Sequence, residues 1–181
     1  MIKKFSRWLL YKRLGWTADV NVELPEKCVI CLAPHTSNWD FVYSMLYGKA
    51  EGLKSNFLMK KEWFFWPLGP IFRKLGGIPV YRNKKSSMTD NLAETAMREK
   101  FFRLAITPEG TRKANPEWKR GFYYIALKAG IPILLYGLDF ERKLIYCHRS
   151  FVPAGDVEKD MQEIKEYYKD FKGKKPEQFA Y

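Results

Sequence analysis

Residues 28–40 read CVICLAPHTSNWD. The six apolar residues before Pro34 predict a short buried strand, and Ser37 followed three residues later by Asp40 predicts the start of a helix over 38–49. The alternation continues outward from this strand-to-helix step. Further strands are predicted at 57–60, 78–81, 102–107, 131–139 and 144–151, and further helices at 61–75, 87–100, 122–129 and 157–171. Pro67 and Pro70 fall inside the 61–75 pattern, where they should break or kink it. Gly76 and Gly130 each follow a periodic run and mark helix ends. Helices alternating with strands predict an α/β fold: one domain, a mostly parallel central sheet and flanking helices. The last two strands lie a few residues apart and predict an antiparallel hairpin at the sheet edge.

Of 181 residues, 46% are apolar and 29% charged, which excludes a disordered chain and a collagen-like repeat, and one domain suffices at this length. Lys and Arg number 32 against 20 Asp and Glu, a net charge of +12, so the expected partner is acidic: phosphate groups, anionic lipid or an acidic protein. The longest stretch free of these charged residues is 28–39, 12 residues, well short of the roughly 18 that cross a bilayer. The N-terminus lacks the apolar core and cleavage site of a signal peptide, which predicts retention inside the cell. Cys28 and Cys31 have the spacing of a metal or redox motif, but their odd separation on a strand points them to opposite faces. Buried thiols are expected instead of zinc or a disulfide.

The first sixteen residues hold five basic side chains and no acid, and residues 1–20 are expected to form a basic amphipathic helix. Ile2, Phe5, Trp8, Leu9 and Trp16 share one side, opposite Lys3, Lys4 and Arg7. Two roles fit this pattern, an apolar side docked on the domain or an anchor at a membrane surface. The run Trp63, Phe64, Phe65, Trp66 carries a similar pair, core packing or contact with a bilayer interface. Residues 173–181 form a polar tail expected to fray.

Candidate chemistry is sparse. His148 lies between apolar residues on a late strand, where a structural role is expected. His35 stands at a strand end opening toward a helix, the place where open α/β sheets hold their sites. His35 and Asp40 are five residues apart, so they meet only across a bend. A helix capped at Thr36 or Ser37 would let the Asp40 carboxylate, in the first turn, reach back to the imidazole. The positive helix end would favour neutral imidazole, the form a general base needs. Asp40 equally fits a plain capping box, and the residues alone leave both roles open. A second cluster, Thr107-Pro108-Glu109-Gly110-Thr111-Arg112, suits a loop whose backbone closely approaches an anion. Lys60, Lys61 and Arg82 end other predicted strands; taken singly, each is a solvated surface charge.

Together, HTSNWD, GGIPVYR, TPEGTR and GIPILL have the order and approximate spacing of the four sequence blocks of the glycerophospholipid acyltransferase family, whose bacterial type is lysophosphatidic acid (1-acyl-sn-glycerol-3-phosphate) acyltransferase. The chain resembles that family from about residue 28 to 136, with departures at Pro34, Thr107, Tyr136 and Gly137. The resemblance implies the family's fold and an acyltransferase domain over 21–172. It also implies transfer of a fatty acyl group from a thioester of acyl carrier protein or coenzyme A to the hydroxyl of a lysophospholipid, lysophosphatidic acid first, in phospholipid biosynthesis. It makes His35 the general base and Asp40 its orienting partner. It assigns Arg82, Glu109, Gly110, Thr111 and Arg112 to the acceptor and its phosphate, with Lys60 or Lys61 assisting. A thioester is already activated, so no metal and no cofactor beyond this co-substrate is expected. The expected location is cytoplasmic, peripheral on the inner face of the cell membrane and its anionic lipid.

Other readings compete. Another lysolipid or a lyso-aminolipid would serve as acceptor, and a non-catalytic protein binding anionic lipid or nucleic acid would share the basic and aromatic composition. Zinc-finger spacing and the aromatic RNA-recognition motif are absent, so no nucleic-acid partner is expected. Binding alone, moreover, needs no base with an orienting partner.

Overall fold

The computed structural model describes residues 1–80 and 85–181, with side chains throughout except at 85–87. Its centre is β2 (Lys27–Ala33), an almost continuously apolar strand flanked on both sides by parallel neighbours. Burial on both faces of a parallel sheet is what such a run is suited to. Around it lie β1 (Thr17–Val20), β3 (Asn56–Lys60), β4 (Gly77–Val80), β5 (Phe102–Ile106), β6 (Ile133–Asp139), β7 (Leu144–Cys147) and β8 (Ser150–Phe151). The sheet order is β1-β7-β6-β2-β5-β3-β4, with β8 also on β6. From β6 to β4 all pairings are parallel, whereas β7 and β8 run antiparallel to β6.

Alternation along the central strands divides the core. Val29, Cys31 and Ala33 of β2 join Ile133 and Leu135 of β6 on one face, while Cys28 and Ile30 join Leu134, Tyr136 and Leu138 on the other. The first face is covered by α4 (Lys85–Arg98), α5 (Gly121–Ala129) and α6 (Val157–Tyr167), through Leu92, Phe122, Tyr123 and Ile164. The second is covered by α1 (Ile2–Arg7), its π-helical continuation Trp8–Arg13 and α2 (Asn38–Glu51), through Leu10, Tyr47 and Ala50. Helices on both faces of a mostly parallel sheet make this a single α/β domain, as expected. The three cysteines are buried free thiols, with Cys28 and Cys31 in opposite cores.

Five expectations need correction. The helix expected at 61–75 is two pieces, a 3₁₀ turn Lys61–Trp63 and α3 (Leu68–Lys74). Pro67 precedes α3 and Pro70 sits in its first turn, where a missing N–H costs nothing. The strand expected at 144–151 is interrupted. Gly137 faces Tyr146 and Leu134 faces Ser150, so two residues of β6 oppose three of the partner strand, a β-bulge at His148 and Arg149. The hairpin is not at the edge, because β1, which lies within the stretch expected as N-terminal helix, pairs outside β7. The α1 segment does not dock by its apolar side. Lys3, Arg7 and Tyr11 reach Glu51, Leu10 enters the core, and Ile2, Phe5 and Trp8 remain 69%, 59% and 53% exposed. Finally, residues 173–181 are held down: the Trp118 indole donates to the Ala180 carbonyl at 2.9 Å, and Phe179 packs on the first core.

Candidate active site

The parallel strands present their C-terminal ends along one edge, where open α/β sheets hold ligands. Reading from β2 through β5 to β3, that edge carries the His35 loop, the loop from Thr107 to Arg112, and Lys60 with Lys61. The sequence clusters at these three strand ends therefore sit in neighbouring positions. Arg82 lies outside the described residues.

The bend between β2 and α2 brings His35 to Asp40. Ser37 caps α2, its hydroxyl accepting from the Trp39 N–H at 3.1 Å, and Asp40 occupies the reciprocal position of a capping box. Its Oδ2 accepts from the amides of Thr36 at 2.7 Å and Ser37 at 2.8 Å, and stands 3.1 Å from His35 Nδ1. The capping box and the imidazole contact thus share one oxygen, so the two roles left open for Asp40 are compatible. An anionic acceptor at Nδ1 fixes the tautomer with its proton there, leaving Nε2 as the nitrogen able to take one. Asp40 is only 5% exposed. Its other oxygen, Oδ1, is buried without a hydrogen-bond partner among the described residues.

Glu109 turns inward. It is buried, and its Oε1 accepts the backbone N–H of His35 at 2.7 Å. Burial raises this carboxyl to about 7, the Asp40 charge adds to the rise, and hydrogen bonds and His35 oppose it. Gly110 takes a positive φ of 65° to turn the loop, and Thr111 accepts the Lys113 N–H at 3.3 Å. The turn carries Arg112 to the start of α2, where its guanidinium donates to the Asn38 side-chain oxygen. Lys60 and Lys61 are exposed, at the end of β3 and in the turn after it.

Sequence reasoning missed several bracing residues. Asn38 holds Arg112, and Asn115 ties the loop down by donating to the carbonyls of Glu109 at 3.0 Å and Glu117 at 2.9 Å. Thr36, buried beside His35, accepts the Lys175 N–H through its hydroxyl at 3.2 Å. A side-chain amide bonding distant carbonyls leaves no periodic trace in sequence. Gly137, one of the departures noted above, does have a visible cause: a Cβ there would lie 2.1 Å from the Phe171 ring. Elsewhere, His148 stacks on Tyr146 and meets Asp19 of β1 at 2.6 Å, a strand-joining contact. No group of three His, Cys, Asp or Glu side chains among the described residues is placed to hold a metal ion.

A buried carboxylate on one imidazole nitrogen, with a guanidinium on the same helix end, is equipped to take a proton from a hydroxyl beside an anionic group. No curated protein matches the chain. Among solved structures, the 1-acyl-sn-glycerophosphate (LPA) acyltransferase of Thermotoga maritima is similar, with a TM-score of 0.55 and 17% identity over 95% of this chain and 80% of that one, a likeness of fold. A family model described as acyltransferase matches residues 19–135, which include His35, Asp40 and the loop through Arg112. The chain belongs to the acyltransferase family, and it is an acyltransferase enzyme.

Proposed function

We propose that this acyltransferase moves a fatty acyl group from a thioester of acyl carrier protein or coenzyme A onto the free hydroxyl of a lysophospholipid, with lysophosphatidic acid as the favoured acceptor. The observation that carries the reading is the 3.1 Å contact of His35 Nδ1 with buried Asp40, with Arg112 bonded to Asn38 at the start of the same helix. Nε2 of His35 takes the hydroxyl proton as the oxygen attacks the thioester carbonyl. Asp40 stabilises the imidazolium so formed. The tetrahedral intermediate then collapses to the ester and a thiolate, which receives the proton back from His35. The thioester supplies the activation, so the step needs no further cofactor. Arg112 pairs with the acceptor's phosphate, to which a planar guanidinium offers two parallel hydrogen bonds.

Work at a membrane surface fits the same reading. No helix among the described residues is long and apolar enough to cross a bilayer. Ile2, Phe5 and Trp8 are exposed on α1, and Trp63, Phe65 and Trp66 are exposed beyond β3, Trp66 by 84%. Exposed aromatics beside a net charge of +12 suit the interface of an anionic bilayer. The test is mass spectrometry of the products formed from acyl donors and a panel of lysolipids. Doubly acylated product from lysophosphatidic acid, absent with His35→Ala, is expected; acylation by His35→Ala at the wild-type rate would refute the mechanism.

A further inference from the structure

We infer that Gln178 is a positioning residue: from a strap formed by residues 172–180 it fixes the distance between the His35 loop and Arg112. The inference rests on the acceptor reading above. The strap starts at the C-terminal end of β6, where the Phe140 N–H donates to the Lys172 carbonyl at 2.8 Å and the Lys172 N–H donates to Asp139 at 3.2 Å. It then crosses the edge that carries the site. Gly173 passes so close to the His35 loop that a Cβ would lie 2.6 Å from the Thr36 hydroxyl oxygen and 3.2 Å from Pro34. The Lys175 N–H bonds that same hydroxyl, and the far end is pinned by the Trp118 indole on the Ala180 carbonyl.

Between these anchors lies Gln178. With its amide nitrogen facing inward, it donates to the Arg112 carbonyl at 2.6 Å and to the Thr36 carbonyl at 3.2 Å. One NH₂ group therefore joins the residue after His35 to the residue that carries the guanidinium. The two loops leave different strands, β2 and β5, and the strand pairing ends below them, with Cys31 opposite Ile106. Above that point their separation depends on cross-loop bonds, and small displacements of a charged clamp relative to a base are costly to transfer.

The test uses the full chain with Gln178→Met, which keeps the volume and removes both donors, and Gln178→Glu, whose carboxylate faces the two carbonyl oxygens without a donor. With lysophosphatidic acid, Gln178→Met should raise the acceptor KM about tenfold, the scale of a lost interloop bond, and leave the donor KM close to wild type. Gln178→Glu should raise the acceptor KM further. A purely structural role would lower stability and move both KM values together. Wild-type kinetics for Gln178→Met, or equal changes for donor and acceptor, would overturn the positioning role and leave the proposed function standing. Wild-type enzyme that acylates a matched monoacylglycerol as well as lysophosphatidic acid would refute the phosphate-bearing acceptor and the inference with it.

Discussion

Helix α2 carries a carboxylate hub at each end, and the two hubs do opposite things. At its start, Oδ2 of Asp40 gathers the His35 imidazole and the amides of Thr36 and Ser37. At its end, Glu51 takes Arg7 on both oxygens, at 2.7 and 2.8 Å, and the Tyr11 hydroxyl at 2.7 Å. The partners of Asp40 are two backbone amides and an imidazole at the positive end of the helix. In the proposed mechanism that carboxylate supports the imidazole once the ring accepts a proton. Glu51 sits at the negative helix end and meets a full cation. Its charge is spent on adhesion, joining the N-terminal segment to the domain. In the proposed mechanism one carboxylate supports proton transfer while the other docks a segment, according to the partner each meets.

Breaking the first hub at its charge should have the largest effect. Asp40→Asn keeps a polar group in the first turn and removes the negative charge that supports imidazolium. We expect kcat to fall on the order of 10³- to 10⁴-fold with little change in KM, the scale at which an orienting carboxylate acts in a His–Asp pair. The capping contribution at stake is at most about 1 kcal/mol. Measuring kcat and melting temperature together separates the roles, because a near-normal kcat with lowered stability would reduce the hub to a cap.

Arg112 stands beside that hub and tests its chemistry from the substrate side. Arg112→Ala should cost about 2 to 4 kcal/mol in kcat/KM for the acceptor, mostly through KM, if its phosphate pair is desolvated. Steady-state kinetics at fixed donor concentration would show it, and an unchanged acceptor KM would free Arg112 from that role.

Glu109 sharpens the comparison as a carboxyl bonded to a backbone amide, its Oε1 on the His35 N–H and its Oε2 without a partner among the described residues. Burial raises it from 4.5 to about 7, so between those values the folded protein keeps a proton that the unfolded chain has lost. Stability from this group is therefore highest below the unfolded value, falls as pH rises through the window, and levels off above about 7. The span is on the order of 3 kcal/mol. Glu109→Gln should remove the slope, so its melting temperature should gain on wild type between pH 5 and pH 8. Parallel melting curves across that range would mean an ordinary carboxyl.

Much of this arrangement was legible in the residues, for identifiable reasons. The alternation of β2 and β6 places Cys28 and Cys31 in different cores, as period-two strands must. The capping signature at Ser37 and Asp40 located the bend that brings His35 and Asp40 together. What escaped depends on partners distant in sequence. β1, TADV, is short and mostly exposed, interrupts Thr and Val with the poor strand formers Ala18 and Asp19, and exists because Thr17 to Val20 find β7. The polarity of residues 173–181 hid their fixed course, since backbone and amide bonds to Thr36, Arg112 and Trp118 leave no apolar pattern. The amphipathic pattern of the N-terminal helix was visible, but its orientation was not: the deciding partner, Glu51, lies 44 residues from Arg7.

The smallest expected effect belongs to that second hub. Glu51→Gln removes the charge under Arg7 while leaving the backbone carbonyl that Lys3 bonds and an oxygen for Tyr11, whose phenol burial and Glu51 both keep protonated. Arg7 is half-exposed and Glu51 partly so, and salt screens such a pair, so the loss should be about 1 kcal/mol at low ionic strength and shrink as salt is added. The acyl-transfer rate on a dispersed, monomeric acceptor should not change, because the His35 hub lies at the other end of α2. If Ile2, Phe5 and Trp8 insert into an anionic bilayer, their hold on the domain runs through Leu10 and Glu51. Sedimentation with anionic vesicles should then show wild-type binding of the protein but a weaker gain in rate on vesicle-borne acceptor. A fall in the dispersed-acceptor rate equal to that on vesicles would show that the two ends of α2 are not independent, and the contrast between the hubs would fail.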